Sequence, residues 1–91
     1  MLARTGKEGE RFPLGSHRVS IGRHPVSDIS LPDVSVSLDH ALIVRRGAGF
    51  FVVDLGSHNG IYVNRERVES QRLSDGDELR IGKYRFVFEF D

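Results

Sequence analysis

Along this chain apolar and polar residues alternate with period two or gather in short apolar runs between turn residues, and almost nothing repeats with a helical period. The C-terminal segment is clearest. Tyr84, Phe86, Phe88 and Phe90 fall on one face and Arg85, Val87 and Glu89 on the other, the pattern of a half-buried strand. Ala41 to Arg46 and Phe50 to Leu55 read as two strands joined by Gly47-Ala48-Gly49, a hairpin connection of suitable length. The run Phe50-Phe51-Val52-Val53 is apolar on both faces, which predicts a central strand. Val19 and Ile21 form another, ending at Gly22. Upstream, Leu2 to Thr5 and Arg11 to Leu14 flank a polar turn from Gly6 to Gly9, and Pro13 assigns the second of these to a sheet edge. Further on, Ile61 to Val63 and Arg67-Val68 bracket the turn Asn64-Arg65-Glu66. Ser74-Asp75-Gly76-Asp77 is a strong turn signal before Glu78 to Ile81, and Gly82-Lys83 leads into the last strand. About ten short strands at close intervals predict an all-β sandwich or barrel. The longest stretch without strand character, His24 to Asp39, holds Pro25, Pro32 and many Ser and Asp residues, and is a candidate binding loop.

Composition bounds this picture without redirecting it. The 91 residues suit a single domain over 1–91, either a whole protein or a module of a longer one. A hydrophobic content of 38% with 29% charged residues belongs to a folded globular chain. Thirteen basic and thirteen acidic residues cancel, so no global field draws the chain to nucleic acid or to a membrane. There is no cysteine, hence neither disulfide nor zinc knuckle. No apolar run reaches the length of a membrane span, and Met1 to Gly6 lacks a leader's apolar stretch, so a cytoplasmic location is expected. Eleven of the thirteen basic residues are Arg, the better fork for phosphate or carboxylate, although coding bias explains the excess equally well.

Three polar clusters stand where strand-like stretches give way to turns: Gly22-Arg23, Ser37-Leu38-Asp39-His40 and Ser57-His58-Asn59-Gly60. Side chains at strand ends are positioned by a rigid scaffold yet stay within reach of a ligand. A guanidinium, a hydroxyl and an Asn-Gly turn together suit an oxyanion, with phosphate the leading candidate. Arg23 supplies a fixed, permanently charged fork, and Ser37 a hydroxyl donor at a loop tip. His40, at a strand entry, suits an architectural bond across loops. Asn59-Gly60 is first a turn signal, since both residues tolerate positive φ. Gly22 and Gly56 are expected to permit close backbone approach. No spacing supports a metal site, and neither a cofactor nor a catalytic residue is expected.

In this order and spacing the clusters resemble the forkhead-associated (FHA) domain, whose pattern is Gly-Arg, Ser-x-x-His, Ser-x-Asn-Gly and a following Asn, here Asn64. Asp28-Ile29-Ser30-Leu31, Asp54-Leu55-Gly56, Tyr62-Val63-Asn64 and the closing run from Leu73 to Gly82 are similar too, so the resemblance covers nearly the whole chain. It implies a β-sandwich of about ten to eleven short, mostly antiparallel strands with binding loops at one end. It also implies capture of a phosphothreonine-containing protein or peptide made by an upstream Ser/Thr protein kinase, a signalling role without catalysis. Carried over by position, Arg23 and Ser37 contact the phosphate, and His58 stands where the family often has a small polar residue facing it. Asn59 holds the peptide backbone, while Gly22, His40, Gly60 and Asn64 support the loops. Leu38 departs from the pattern, because the family commonly has Arg or another polar residue after the motif Ser. One missing charge-assisted hydrogen bond is worth roughly ten- to a hundredfold in affinity.

Two other readings compete. A degenerate module would keep the sandwich and bind proteins without phosphate, through an apolar patch of Val34, Val36 and Leu38. An enzyme would recruit Ser37, Asp39, His40 and Asp54, the residue types of a hydrolase triad, but adjacent Asp39 and His40 would point to opposite faces of a strand. Thr5, the sole threonine, reads as a strand or turn residue and not as a self-bound phosphosite.

Overall fold

The computed structural model describes residues 1–7 and 9–90, so Glu8, inside the turn expected over 6–9, lies outside the described residues. Eleven strands form among the described residues: β1 (Leu2–Arg4), β2 (Arg11–Phe12), β3 (Arg18–Gly22), β4 (Ile29–Ser30), β5 (Ala41–Arg46), β6 (Gly49–Asp54), β7 (Ile61–Val63), β8 (Glu66–Val68), β9 (Ser70–Arg72), β10 (Glu78–Ile81) and β11 (Tyr84–Phe88). They make a six-stranded sheet in the order β2-β1-β11-β10-β7-β8 and a five-stranded sheet in the order β4-β3-β5-β6-β9. All pairs are antiparallel except β3 with β4. The expected all-β sandwich is therefore the fold, with β2, the strand next to Pro13, at an edge.

One core fills the space between the sheets. Leu2, Ile21, Ile43, Val52, Ile61, Leu79, Ile81, Phe86 and Phe88 are almost fully buried. The alternation in β11 works as read: Tyr84, Phe86 and Phe88 point inward while Arg85 is exposed. Phe90 lies beyond the strand and stays half-exposed, stacking on Phe88 and meeting Phe50 edge-on.

Two strands depart from the expected pattern, for different reasons. β4 sits inside the stretch read as a loop. Ile29 and Leu31 are buried, and Asp28 clamps the pair by accepting from the Ser20 amide (2.9 Å) while its own amide donates to Ser20 Oγ (2.9 Å). β9 is exposed at all three residues and exists only because it pairs with β6, so it leaves no hydrophobic signature. β6, expected to be central, is interior but next to that edge strand.

Candidate functional site

Four connections meet at one end of the sandwich: the turn after β3, the segment from Leu31 to His40, the β6–β7 loop over 55–60, and the β10–β11 turn at Gly82-Lys83. Backbone bonds join the first two, Arg23 N–H donating to Ser37 O (3.0 Å) and Leu31 N–H to Gly22 O (2.8 Å). Gly22 is needed for this approach, because a methyl group there would fall on the Leu38 carbonyl oxygen. Gly56 has no such neighbour, contrary to expectation; its requirement is the left-handed φ of 76°.

His40 is the keystone of the loops. It is fully buried, accepts from the Ser37 amide at Nδ1 (3.1 Å) and meets Gly60 O from Nε2 (2.8 Å). Since Nδ1 must accept, Nε2 carries the proton and donates to that carbonyl. One ring thereby fixes the middle cluster to the third. The same bonds leave no hydrolase triad: the ring is committed to backbone, and Asp54 Oδ1 accepts from the Ser57 amide (2.8 Å). Ser57 closes the loop with its Oγ accepting from Gly60 N–H (3.0 Å).

The groups read as ligand contacts are held from behind and open in front. Arg23 is exposed, and its Nε donates to Val36 O (3.0 Å), which aims the guanidinium without neutralising it. Among the described residues no carboxylate pairs with it. Ser37 Oγ accepts from the His58 amide (3.0 Å), so its hydroxyl proton remains available to a ligand. His58 is thus brought to Ser37 by its backbone, with the imidazole exposed. Asn59 Nδ2 donates to Ser35 O (3.0 Å), which leaves Oδ1 as an acceptor. Asn64 lies apart from these. It has a φ of 50° and braces the turn before β10, donating to Asp77 Oδ1 (3.0 Å) and accepting from the Glu78 amide (2.9 Å).

Sequence reasoning missed the latch behind Asn59. Ser35 donates its amide (2.9 Å) and hydroxyl (2.6 Å) to Asp33 Oδ2, and its Oγ accepts from the Lys83 amide (3.0 Å). Lys83 Nζ pairs with Asp33 Oδ1 at 3.2 Å. The Ser35 hydroxyl and amide, then Lys83, hold the Asp33 carboxyl down at about 2. Gly82, with a φ of 57°, is required here because a Cβ would sit 2.5 Å from Ser35 Oγ. The signal was the spacing Asp33-x-Ser35, an Asx-turn pattern. Val36, expected in an exposed patch, is instead buried at 1%, while Val26, Val34 and Leu38 are exposed at 85%, 94% and 45%.

Among the described residues no cluster of His, Asp or Glu could hold a metal ion, and no helix is long and apolar enough to cross a membrane. A profile of the FHA domain family matches residues 19–82, a span that contains every residue of the loop cluster but Lys83. The chain belongs to the FHA domain family. Over 97% of its length it is 52% identical to the glycogen accumulation regulator GarA of Mycolicibacterium smegmatis, covering 56% of that protein. It is 51% identical, over the same share, to the oxoglutarate dehydrogenase inhibitor of Corynebacterium jeikeium, covering 61% of it. The chain therefore spans less than two thirds of the length of these relatives. Among solved structures, Mycobacterium tuberculosis EmbR in complex with a low affinity phosphopeptide superposes with a TM-score of 0.92 at 37% identity, over 97% of this FHA domain and 23% of EmbR. An FHA domain studied for phosphothreonine-dependent interactions also superposes with a TM-score of 0.92, at 31% identity over 99% of this chain and 94% of that one.

Proposed function

We propose that this FHA domain captures a phosphothreonine-containing segment of a partner protein, written by a Ser/Thr kinase, and acts by binding without catalysis. One observation carries the reading. Arg23 is aimed by a backbone carbonyl and pairs with no carboxylate among the described residues, beside a Ser37 hydroxyl whose proton is free to donate. A permanently charged fork and a neutral donor on fixed backbone suit a phosphate dianion, and holding them in place beforehand lowers the ordering cost of binding. In this reading Arg23 and Ser37 take the phosphate, the exposed His58 imidazole adds a donor at its edge, and Asn59 Oδ1 accepts from the peptide backbone. The phosphopeptide bound to EmbR and the regulator and inhibitor among the relatives fit a domain of this kind. We place it in the cytoplasm as one module over 1–91, with neither nucleic acid nor membrane as ligand.

A second reading rests on the exposed Val34 and Leu38 beside the site, which would suit a phosphate-independent apolar contact. Calorimetry with a phosphothreonine peptide library separates the two. The phosphate reading expects binding that disappears for the unphosphorylated peptides and for Arg23→Ala. Equal affinity for plain and phosphorylated peptides would establish the apolar contact instead.

A further inference from the structure

The outer face of the six-stranded sheet carries a cationic row that the phosphate site does not use. The register sets Arg85 opposite Arg80, Arg80 opposite Tyr62 and Tyr62 opposite Arg67, so one line crosses β11, β10, β7 and β8. The three arginines are exposed, and Arg80 lies over the Tyr62 ring at 5.5 Å. Like charges directly opposite on neighbouring strands repel and weaken the pairing. Among the described residues three cations have a carboxylate partner: Arg4 with Glu10, Arg11 with Glu89 and Lys83 with Asp33. None of those ion pairs falls on the row. Glu78, which shares a cavity of about 250 Å³ with Tyr62, Arg65, Arg80 and Arg85, is the one carboxylate lining that cavity among the described residues.

The row is also continuous with the loop end. Arg67 packs its guanidinium on Gly60, directly after Asn59. A groove of about 310 Å³, lined by Ser35, Asn59, Tyr62, Arg80, Gly82 and Lys83, runs from the peptide-holding Asn onto the row. Strands lie about 4.8 Å apart, so β8 to β11 spans roughly 14 Å, the reach of about four or five extended residues.

We propose that this face is a second docking surface, which takes an acidic segment of the same partner whose phosphothreonine occupies the loop end. The inference rests on the phosphothreonine reading for its first contact but makes a separate claim about charge. Carboxylates of the segment would neutralise Arg80 and Arg85, relieving their mutual repulsion, while Tyr62 offers a flat apolar floor between the charges. An acidic protein segment is favoured over nucleic acid because the row is short and the chain as a whole carries no net charge.

Fluorescence anisotropy decides it with a phosphothreonine peptide in neutral flanks, the same peptide with a run of glutamates on either side, and the glutamate peptide without phosphate. The tailed phosphopeptide should bind about three- to tenfold tighter at low salt, the scale of a few exposed ion pairs. That gain should vanish in Arg80→Glu/Arg85→Glu and at about 1 M salt, where screening acts within roughly 3 Å. The neutral-flank peptide should bind the variant as it binds the wild type. Should reversal disturb folding, Arg80→Gln/Arg85→Gln removes the charge with less change. A gain absent from both tailed peptides, or surviving charge removal, overturns the proposal. Failure of the neutral-flank peptide strikes only the phosphothreonine reading. In that event amide shifts at Tyr62, Arg67, Arg80 and Arg85 on adding the glutamate peptide support the surface, and their absence overturns it. A single-stranded oligonucleotide that binds more tightly than the glutamate peptide through the same arginines overturns the choice of occupant.

Discussion

The two ends of this sandwich are built on opposite plans. At the loop end, extended connections are tied to each other by buried or half-buried polar groups, His40, Ser57, Ser35 and Asp33, and the charged tips are left outside. At the other end the β5–β6 hairpin turns on Gly47-Ala48, and Phe50, Phe88 and Phe90 close the bottom with ring centroids 5.7 to 6.1 Å apart. Aromatic packing holds one end, and directional bonds to backbone hold the other. Packing stabilises but tolerates small shifts; directional bonds fix atoms where a ligand needs them, which is what separates a site from a lid on the core.

Phe88→Ala tests the aromatic end and should have the largest effect. Phe88 is fully buried, so truncation should cost about 3–5 kcal/mol of stability in chemical unfolding. That is a large part of the usual stability of a small domain, yet phosphopeptide affinity of the folded fraction should hold within about twofold. A parallel loss of affinity would mean that the two ends are coupled through the core.

His40→Ala probes the opposite plan. It strands the buried Gly60 carbonyl and the half-buried Ser37 amide; a buried unpaired group costs about 1–3 kcal/mol and a half-buried one less, so stability should fall by about 2–4 kcal/mol. Unlike Phe88→Ala it should also weaken phosphopeptide binding, because Ser37 and Asn59 lose their common support. Arg23→Ala should show the converse: near-normal stability with affinity reduced roughly ten- to a hundredfold or more. Should Arg23→Ala unfold the domain instead, its bond to Val36 O would be structural and the site assignment would fall.

These tests also mark what was legible from sequence. Strands with a buried face, such as β5, β7, β10 and β11, show themselves by alternation, and their ends match the structure closely. β9 shows nothing, since Ser70, Gln71 and Arg72 are polar and only the edge of β6 makes them a strand. Within the site, Arg23, Ser37 and His40 stand out because each belongs to a spaced pattern of chemically distinctive residues. Ser35 meets Asn59 through its carbonyl, which has no residue identity to read, and its hydroxyl and amide bonds are marked only by the Asp33-x-Ser35 spacing. Val36 misled for a related reason: in an irregular segment the inward residue is chosen by tertiary packing, not by period.

The Asp33–Ser35–Lys83 latch sets the smallest effect and the finest test of the directional plan. The Asp33 carboxyl is held at about 2, below its ordinary 3.8, so the folded state favours the charged form. A lowered folded value means that the stabilisation is complete above about pH 4 and is lost as the pH falls toward about 2. Raising the pH from neutral should therefore leave the latch unchanged. The amides of Ser35 and Lys83, which report the Asp33 and Ser35 oxygens directly, should titrate together in that acid window and shift little above it. At neutral pH Asp33→Asn keeps an acceptor for Ser35 but loses the ion pair with an exposed Lys83, so affinity should fall less than about threefold and recover little on adding salt. Amide titration near 3.8 would mean that Ser35 does not hold the carboxylate in solution. Asn59 would then be positioned by the His40–Gly60 bond alone, and the loop end would rest on one keystone instead of two.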